Sequence, residues 1–267
     1  MAKKLLPDDL WAEVAPLMPV PAARPKSGRP PVAARDALIG ILFVLYTGIP
    51  WERLPFEVAG CSGMTCWRRL RDWQNAGLWD KLHRHMLDRL NLAGEIDWSR
   101  ASVDASSVPA KKGGDATGPN PTDRGKPGAK RHIMVDRAGI PLALVLTGAN
   151  RHDSMALTDV VEAVHPVRQK RGRPRKRPAK FHADKGYDFD RCRRDLRARS
   201  ITPRIARRGV ETSSHLGKHR WVVERTFAWI NQFRRLIVRY ERHADLYRAF
   251  LVIAAAIICF RATERFC

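Results

Sequence analysis

Apolar residues recur at helix-compatible spacings in four stretches of the chain, the pattern of amphipathic α-helices. The predicted helices are residues 33–46, 64–76, 78–92 and 218–240. A fifth stretch, residues 249–260, is a continuous apolar run, which predicts a buried helix. Gly48 and Pro50 follow the first of these segments, where such residues end a helix. The pattern therefore predicts helices at both ends of the chain.

Between these helical ends the pattern changes to short runs with strand character. The predicted strands are residues 101–108, 131–136, 141–146, 180–184 and 201–205. The second and third strands flank a turn that contains Gly139 and form a hairpin. Two helices, residues 154–165 and 190–199, are predicted between strands. This order predicts an α/β fold with a mixed central sheet and helices on its faces.

The N-terminal helices include one that is both basic and aromatic. Residues 64–76 carry Arg68, Arg69 and Arg71 beside Trp67 and Trp73. Three short helices with a Gly-containing turn fit a helix-turn-helix arrangement that contacts DNA, although a small helical bundle with an exposed basic face fits the same pattern. We therefore expect an N-terminal helical DNA-binding domain over residues 1–95 and a second domain over residues 96–267.

The charge of the chain favours a polyanionic partner. The 267 residues include 49 Lys and Arg against 27 Asp and Glu, a formal net charge of +22. So large an excess favours binding to nucleic acid, with a membrane surface as the weaker alternative. The apolar run 249–260 is too short to span a bilayer. The five Cys residues contain no Cys-x-x-Cys pair, which indicates free thiols in a reducing cytoplasm and no zinc site.

Three acidic residues are the candidates for a metal centre. Asp104 lies in the first predicted strand, Asp184 ends the fourth, and Glu224 lies in the 218–240 helix. Carboxylate oxygens are the ligands that Mg²⁺ and Mn²⁺ prefer, and two such ions can activate a nucleophile and stabilise a leaving oxygen at a phosphate. Glu224 is also compatible with simple surface pairs to neighbouring Arg residues. Three further acids are alternative ligands: Asp136, Asp153 and Asp188.

These motifs occur in an order that resembles a known family. The catalytic segments are VDASS at 103–107, KRHIMVDRAGIPL at 130–142, ADKGYD at 183–188 and RWVVERTFAW at 220–229. The N-terminal segments are GRP at 28–30, GIL at 40–42, TGIPW at 47–51 and LP at 54–55. Together they resemble bacterial insertion-sequence transposases of the DDE type, most closely the insertion-sequence-five family, over nearly the whole chain.

The resemblance implies an RNase H-like catalytic core in which Asp104, Asp184 and Glu224 bind the metal, expected to be Mg²⁺ with Mn²⁺ able to substitute. It implies DNA strand cleavage by water, then attack of the freed 3′-hydroxyl on target DNA. The implied partners are double-stranded DNA, at terminal inverted repeats and at the target, and a second copy of the chain in a dimer or larger assembly. The implied location is the bacterial cytoplasm, at the nucleoid, with no membrane partner.

Two positions depart from the family pattern around Glu224. Gly217 and Asn231 stand where the family usually has Tyr and Lys, while Arg220 and Glu224 match. The resemblance gives the missing Tyr and Lys contacts to transposon-end DNA, so those contacts are not expected in their usual form. Arg220 is retained as a DNA-binding candidate.

Further basic residues are DNA-binding candidates. Arg171 and Arg173 lie in an Arg-Gly-Arg-Pro sequence that resembles an AT-hook, which can enter a narrow minor groove. The composition of the segment favours the competing interpretation, a flexible cationic loop that contacts phosphates without reading sequence. Arg234 and Arg235 follow the Glu224 segment and are expected to track a DNA backbone.

Two other functions are compatible with the sequence. A structure-specific nuclease would cut DNA without joining ends, and a transposase-derived DNA-binding protein would do neither. The three acids argue against the second alternative, because binding to a polyanion does not require them.

Overall fold

The computed structural model describes residues 5–20, 30–209 and 213–264. Its N-terminal region is helical, as predicted. The helices are α1 (Asp8–Val14), α2 (Ala34–Thr47), α3 (Phe56–Ala59), α4 (Gly63–Asn75) and α5 (Leu78–Ala93). Ser62 caps α4 by accepting a hydrogen bond from the backbone N–H of Thr65, which satisfies one of the helix's unpaired donors.

The turn between α4 and α5 is built around Gly77. Its φ of 70° lies in the left-handed region that glycine adopts without strain. The tight turn brings Trp73 and Trp79 into edge-to-face contact, with ring centroids 5.8 Å apart. Leu70 and Trp73 are buried, so α4 packs through one face and presents its basic residues on the other.

The centre of the molecule is a six-stranded mixed sheet. Its strands are β1 (Ala101–Pro109), β2 (Gly118–Pro119), β3 (Pro127–Asp136), β4 (Pro141–Gly148), β5 (Lys180–Ala183) and β6 (Thr202–Ile205). Strand β3 pairs antiparallel with β1, β2 and β4, whereas β5 lies parallel to both β1 and β6. The order β4-β3-β1-β5-β6 confirms the predicted RNase H-like α/β fold.

Helices cover the sheet. They are α6 (Leu157–Glu162), α7 (Asp190–Ala198), α8 (Ser213–Asn231) and α9 (Ala244–Glu264). The predicted helix 154–165 is shorter in the structure, because Asp153–Met155 forms a separate 3₁₀ turn. The predicted helix 218–240 is wrong at its C-terminal end: α8 stops at Asn231 and a 3₁₀ turn, Arg234–Leu236, follows.

Tertiary packing explains this early end of α8. Phe233 leaves the helical region of backbone space (φ −84°, ψ 97°) and its side chain is fully buried. The turn also directs Arg235 and Arg239 into the interior, where a continued helix would have placed basic residues on its surface. The burial of these three side chains therefore outweighs the helical preference of the local sequence.

Helix α9 confirms the predicted buried helix and extends it in both directions. Among the described residues it is the one helix whose length and composition would suit a membrane span, yet 83% of that span is buried inside the molecule. It packs on α5 and β4, and Arg248 donates two hydrogen bonds to Asp80, at 2.9 and 2.6 Å. The helical region and the sheet therefore share a continuous apolar core, and nothing in the fold tests the boundary predicted at residue 95.

Candidate active site

Asp104 and Asp184 hold corresponding positions along the parallel pair β1 and β5. Ser102 of β1 lies opposite His182 of β5, and each acid follows its paired residue by two positions, Asp184 just beyond the end of β5. Each carboxylate accepts a local hydrogen bond through Oδ1, from the N–H of Ala105 (2.8 Å) and of Gly186 (2.9 Å) respectively. Both side chains are half-buried, and both carboxylates are close enough to Tyr187 to raise the pKa of its hydroxyl, so they lie in one region of the fold.

Tyr187 lies beside these carboxylates, and sequence reasoning missed it. Its side chain is 1% exposed, and its hydroxyl has no hydrogen-bond partner among the residues that the structure describes. Burial, followed by the charges of Asp153, Asp104 and Asp184, raises its pKa well above the ordinary value. Buried hydroxyls are almost always hydrogen-bonded, so this one is an exception within the described fold.

Helix α8 is fixed over the same face of the sheet by Arg131. This guanidinium donates through Nη2 to Asn231 and to Ser106, both at 3.1 Å, and lies 5.7 Å from the ring centroid of Phe227. Glu224 precedes Phe227 by three residues and Asn231 by seven, which places it on their side of the helix. Its side chain is exposed.

The structure does not gather the complete triad into a closed metal cage. Over residues 5–20, 30–209 and 213–264, no group of three His, Cys, Asp or Glu side chains is arranged to hold a metal ion. Asp104 lies on β1, Asp184 directly follows β5, and Glu224 lies on the covering helix. The donor set nevertheless fits a hard divalent cation, because all three residues offer oxygen ligands.

Arg131 gives a physical account of the unusual Asn231. The Arg131 side chain is 2% exposed, and burial lowers the pKa of its guanidinium because the charged form loses hydration. The neutral Asn231 amide accepts a hydrogen bond from this buried cation. A Lys at position 231 would instead place a second positive charge against it. The Asn at position 231, where the family usually has Lys, therefore has a hydrogen-bond partner in Arg131.

The three alternative acids have other contacts. Asp136 is buried and accepts hydrogen bonds from the N–H groups of Asp97, Ala138 and Ile140 at 2.8–2.9 Å. Asp188 accepts from Arg193 at 2.6 Å. These bonds organise the hairpin turn and the segment after β5. Asp153 lies 2.9 Å from Lys130 Nζ and close enough to Tyr187 to raise the pKa of its hydroxyl, so it belongs to the rim of the site.

Asp136 predicts a specific pH dependence of stability. Burial raises its pKa to about 6, so folding favours the protonated acid and the ionised form costs stability. We expect the wild type to gain roughly 2–3 kcal/mol relative to Asp136→Asn as the pH falls from 7 to 4. Urea unfolding of the two proteins across this range measures the difference. A constant difference would show that Asp136 titrates normally in the fold.

The predicted DNA-binding arginines occupy different environments. Arg68 and Arg71 are exposed on α4 and Arg69 is half-buried. Arg71 lies 5.3 Å from the ring centroid of Trp67 and pairs with Asp72 at 2.9 Å. Arg171, Arg173 and Arg234 are exposed. The side chain of Arg220 lies outside the described part of the chain.

Arg235 corrects the sequence prediction. Its side chain is 7% exposed and bonds to Glu241 Oε1 through Nε (2.8 Å) and Nη2 (2.7 Å). Its Nη1 donates to the carbonyl of Ile49 at 2.9 Å, which ties the loop after α2 to the end of α8. A guanidinium committed to these partners has no surface to offer a DNA backbone, so Arg235 is a structural residue.

Comparisons with known proteins agree with this fold. Residues 99–259 match the family described as transposase DDE domain, and residues 6–83 match putative transposases of the IS4/5 family. The chain is 52% identical over 149 residues to a putative transposase for insertion sequence element IS402 of Burkholderia cepacia, covering 56% of this chain and 71% of that protein. It is also 52% identical over 123 residues to an IS402 uncharacterized 16.2 kDa protein of the same organism, covering 45% of this chain and 84% of that one.

A solved structure supports the fold. The piggyBac transposase, in a synaptic complex with hairpin DNA, has a TM-score of 0.53 and 10% identity, covering 97% of this chain and 72% of its own. The family matches thus define a DNA transposase of the DDE class, a metal-dependent enzyme of DNA cleavage and transfer. The chain belongs to the IS4/5 group of insertion-sequence transposases.

Proposed function

We propose that Asp104, Asp184 and Glu224 are the metal-binding residues with which this transposase cuts the ends of an insertion sequence and joins the freed 3′-hydroxyl ends to target DNA. The observation that supports the proposal is the parallel pairing of β1 with β5, because Asp104 follows Ser102 by two positions and Asp184 follows its partner His182 by two. Two carboxylates on neighbouring strands repel one another, and a bound cation removes that repulsion.

The metal is expected to be Mg²⁺, with Mn²⁺ able to replace it, because the donors are carboxylate oxygens. Bound there, a pair of such ions supplies a nucleophile and charge stabilisation at the phosphate. The chain's own contribution is positional. Asp104 lies on strand β1 and Asp184 directly follows strand β5. Arg131 holds α8 through Asn231 and Phe227, and Glu224 projects from that helix where DNA can reach it.

The proposed DNA contacts lie on two regions of the surface. Arg68, Arg69 and Arg71 on α4 contact the terminal inverted repeats, and the Arg71 guanidinium lies 5.3 Å from the ring centroid of Trp67. Arg171, Arg173 and Arg234 contact phosphates, and Arg220 is retained as a further contact beside Glu224. The piggyBac relative, captured in a synaptic complex with hairpin DNA, supports an assembly on DNA, and we propose at least a dimer at the bacterial nucleoid in the cytoplasm.

The proposal is tested with labelled DNA that carries the repeats flanking this insertion sequence. We expect strand cleavage and joined products with Mg²⁺ or Mn²⁺, and neither when the metal is chelated. Cleavage without joined products would favour the structure-specific nuclease. Tight binding to the repeats with no reaction under any metal would favour a DNA-binding protein descended from a transposase.

A further inference from the structure

The hydroxyl of Tyr187 is a buried polar group to which the proposed reaction gives no role. The side chain is 1% exposed and packs in the apolar core, and its oxygen has no hydrogen-bond partner among the described residues. Tyr247 is also fully buried, but its hydroxyl donates to the carbonyl of Leu236 at 2.8 Å. A buried hydroxyl without a partner lowers stability, because its lost hydration is not replaced. The position of the Tyr187 hydroxyl therefore needs an explanation other than stability.

The backbone holds Tyr187 next to Asp184. Residues Lys185–Tyr187 form a 3₁₀ turn that Asp184 caps through its Oδ1, and the N–H of Tyr187 donates to the Asp184 carbonyl at 3.1 Å. A Cβ atom added to Gly186 would lie 3.0 Å from Oδ1 and 3.5 Å from Oδ2 of Asp184, so the turn passes close to this carboxylate. Tyr187 therefore belongs to the same hydrogen-bonded turn as a proposed metal ligand.

Two further acids lie near the Tyr187 side chain. The 3₁₀ turn Asp153–Met155 packs against the turn that contains Tyr187. After burial, the charges of Asp153, Asp104 and Asp184 each raise the pKa of the Tyr187 hydroxyl. The hydroxyl is therefore a neutral hydrogen-bond donor at pH 7, and the nearby charged groups that raise its pKa are carboxylates, which accept hydrogen bonds.

The acids near this donor are also the proposed ligands of the metal. Carboxylates in one region repel one another, and a bound divalent cation removes this repulsion and draws their oxygens together. We propose that Tyr187 is a positioning residue of the metal site, whose hydroxyl donates a hydrogen bond to a ligating carboxylate, Asp104 or Asp184, when the cation is bound. This bond fixes the orientation of the carboxylate. The inference rests on the proposed function, because it requires these acids to hold the cation.

The first measurement is the affinity for Mn²⁺ alone, read from the loss of the free-ion electron paramagnetic resonance signal in protein without DNA. Tyr187→Phe removes only the hydroxyl and should weaken Mn²⁺ binding on the order of tenfold, as loss of an outer-shell partner does. Asp184→Asn identifies the site, because it should abolish this binding. Tyr247→Phe is the matched control: it removes a buried hydroxyl that already has a partner, and Mn²⁺ affinity should stay within about twofold.

The second measurement is the midpoint of thermal unfolding without metal, which separates a positioning role from a structural one. Tyr187→Phe should raise the midpoint by about 2–4 °C, because the variant no longer buries an unpartnered hydroxyl. Tyr247→Phe should lower it, because a buried hydrogen bond is lost. Excess Mn²⁺ should raise the midpoint of wild type more than that of Tyr187→Phe, because wild type binds the ion more tightly.

Three results would overturn the proposal. They are unchanged Mn²⁺ affinity in Tyr187→Phe, an equal loss of affinity in Tyr247→Phe, and a lowered midpoint of metal-free Tyr187→Phe, which would show that the hydroxyl serves the fold. Mn²⁺ binding that Asp184→Asn abolishes and Tyr187→Phe leaves unchanged would remove the role of Tyr187 alone. Mn²⁺ binding that Asp184→Asn leaves unchanged would remove the proposed metal site, and the role of Tyr187 with it.

Discussion

Asp184→Asn is expected to reduce DNA cleavage and joining by on the order of 100-fold or more, since loss of mere outer-shell partners already costs 10- to 100-fold at metal sites. Asn keeps the size of the side chain, and its amide oxygen can still accept from the N–H of Gly186. The substitution removes the charge that a divalent cation requires. The fold and the affinity for DNA should therefore survive, and the rate of product formation at saturating protein measures the effect.

Asp190→Asn is the matched control for this substitution. Asp190 is an exposed acid at the first position of α7, six residues from Asp184. The rate of product formation by the Asp190→Asn variant should stay within about threefold of wild type, as is usual for a surface substitution. Equal losses in the two variants would indicate a general effect of negative charge near DNA. Full activity in Asp184→Asn would remove this residue from the catalytic site.

Arg235→Met is expected to lower the free energy of unfolding by about 3–5 kcal/mol, the range seen when one partner of a buried ion pair is removed. Glu241 has 3% side-chain exposure, and its Oε2 has no hydrogen-bond partner among the described residues. Loss of Arg235 would leave this carboxylate buried without its counter-charge. The midpoint of urea unfolding, at an unchanged slope, measures the loss.

The exposed neighbour Arg234 provides the comparison. Arg234→Met should change stability by less than about 0.5 kcal/mol and should weaken DNA binding. Arg235→Met should destabilise the fold and leave the DNA affinity of the folded protein unchanged. Replacing both buried partners, with Arg235→Met and Glu241→Leu together, should recover much of the lost stability because no isolated charge remains. A stable Arg235→Met protein with weakened DNA binding would restore the DNA contact first predicted for Arg235.

The sequence predicts elements whose signals are local. Strand β5, with Asp184 directly after it, follows from a short run with strand character, and the hairpin of β3 and β4 follows from two such runs around a Gly-containing turn. The end of α8 could not be predicted in this way. Residues 232–240 have helical composition, but burial of Phe233 and the pairing of Arg235 with Glu241 outweigh that preference. These contacts join residues that no periodicity connects.

The residues of the candidate site show the same difference between local sequence signals and long-range contacts. Asp104, Asp184 and Glu224 are visible in the sequence because each lies in a recognisable motif. Tyr187 and Arg131 were missed because their roles depend on distant neighbours: Arg131 reaches Asn231 across 100 residues of sequence. A motif indicates which residues are candidates for the chemistry, whereas the pairing of strands determines which of these residues lie in the same region of the fold.

The most direct measurement of the central claim locates the metal itself. Fe²⁺ substituted for Mg²⁺, with ascorbate and peroxide, cleaves a polypeptide next to the bound ion, and mass spectrometry identifies the cut positions. The account predicts cuts near Asp104, Asp184 and Glu224 in the DNA-bound protein, all suppressed by excess Mg²⁺. Cuts confined to the neighbourhood of Asp136 or Asp188, or cuts that Mg²⁺ does not suppress, would contradict it.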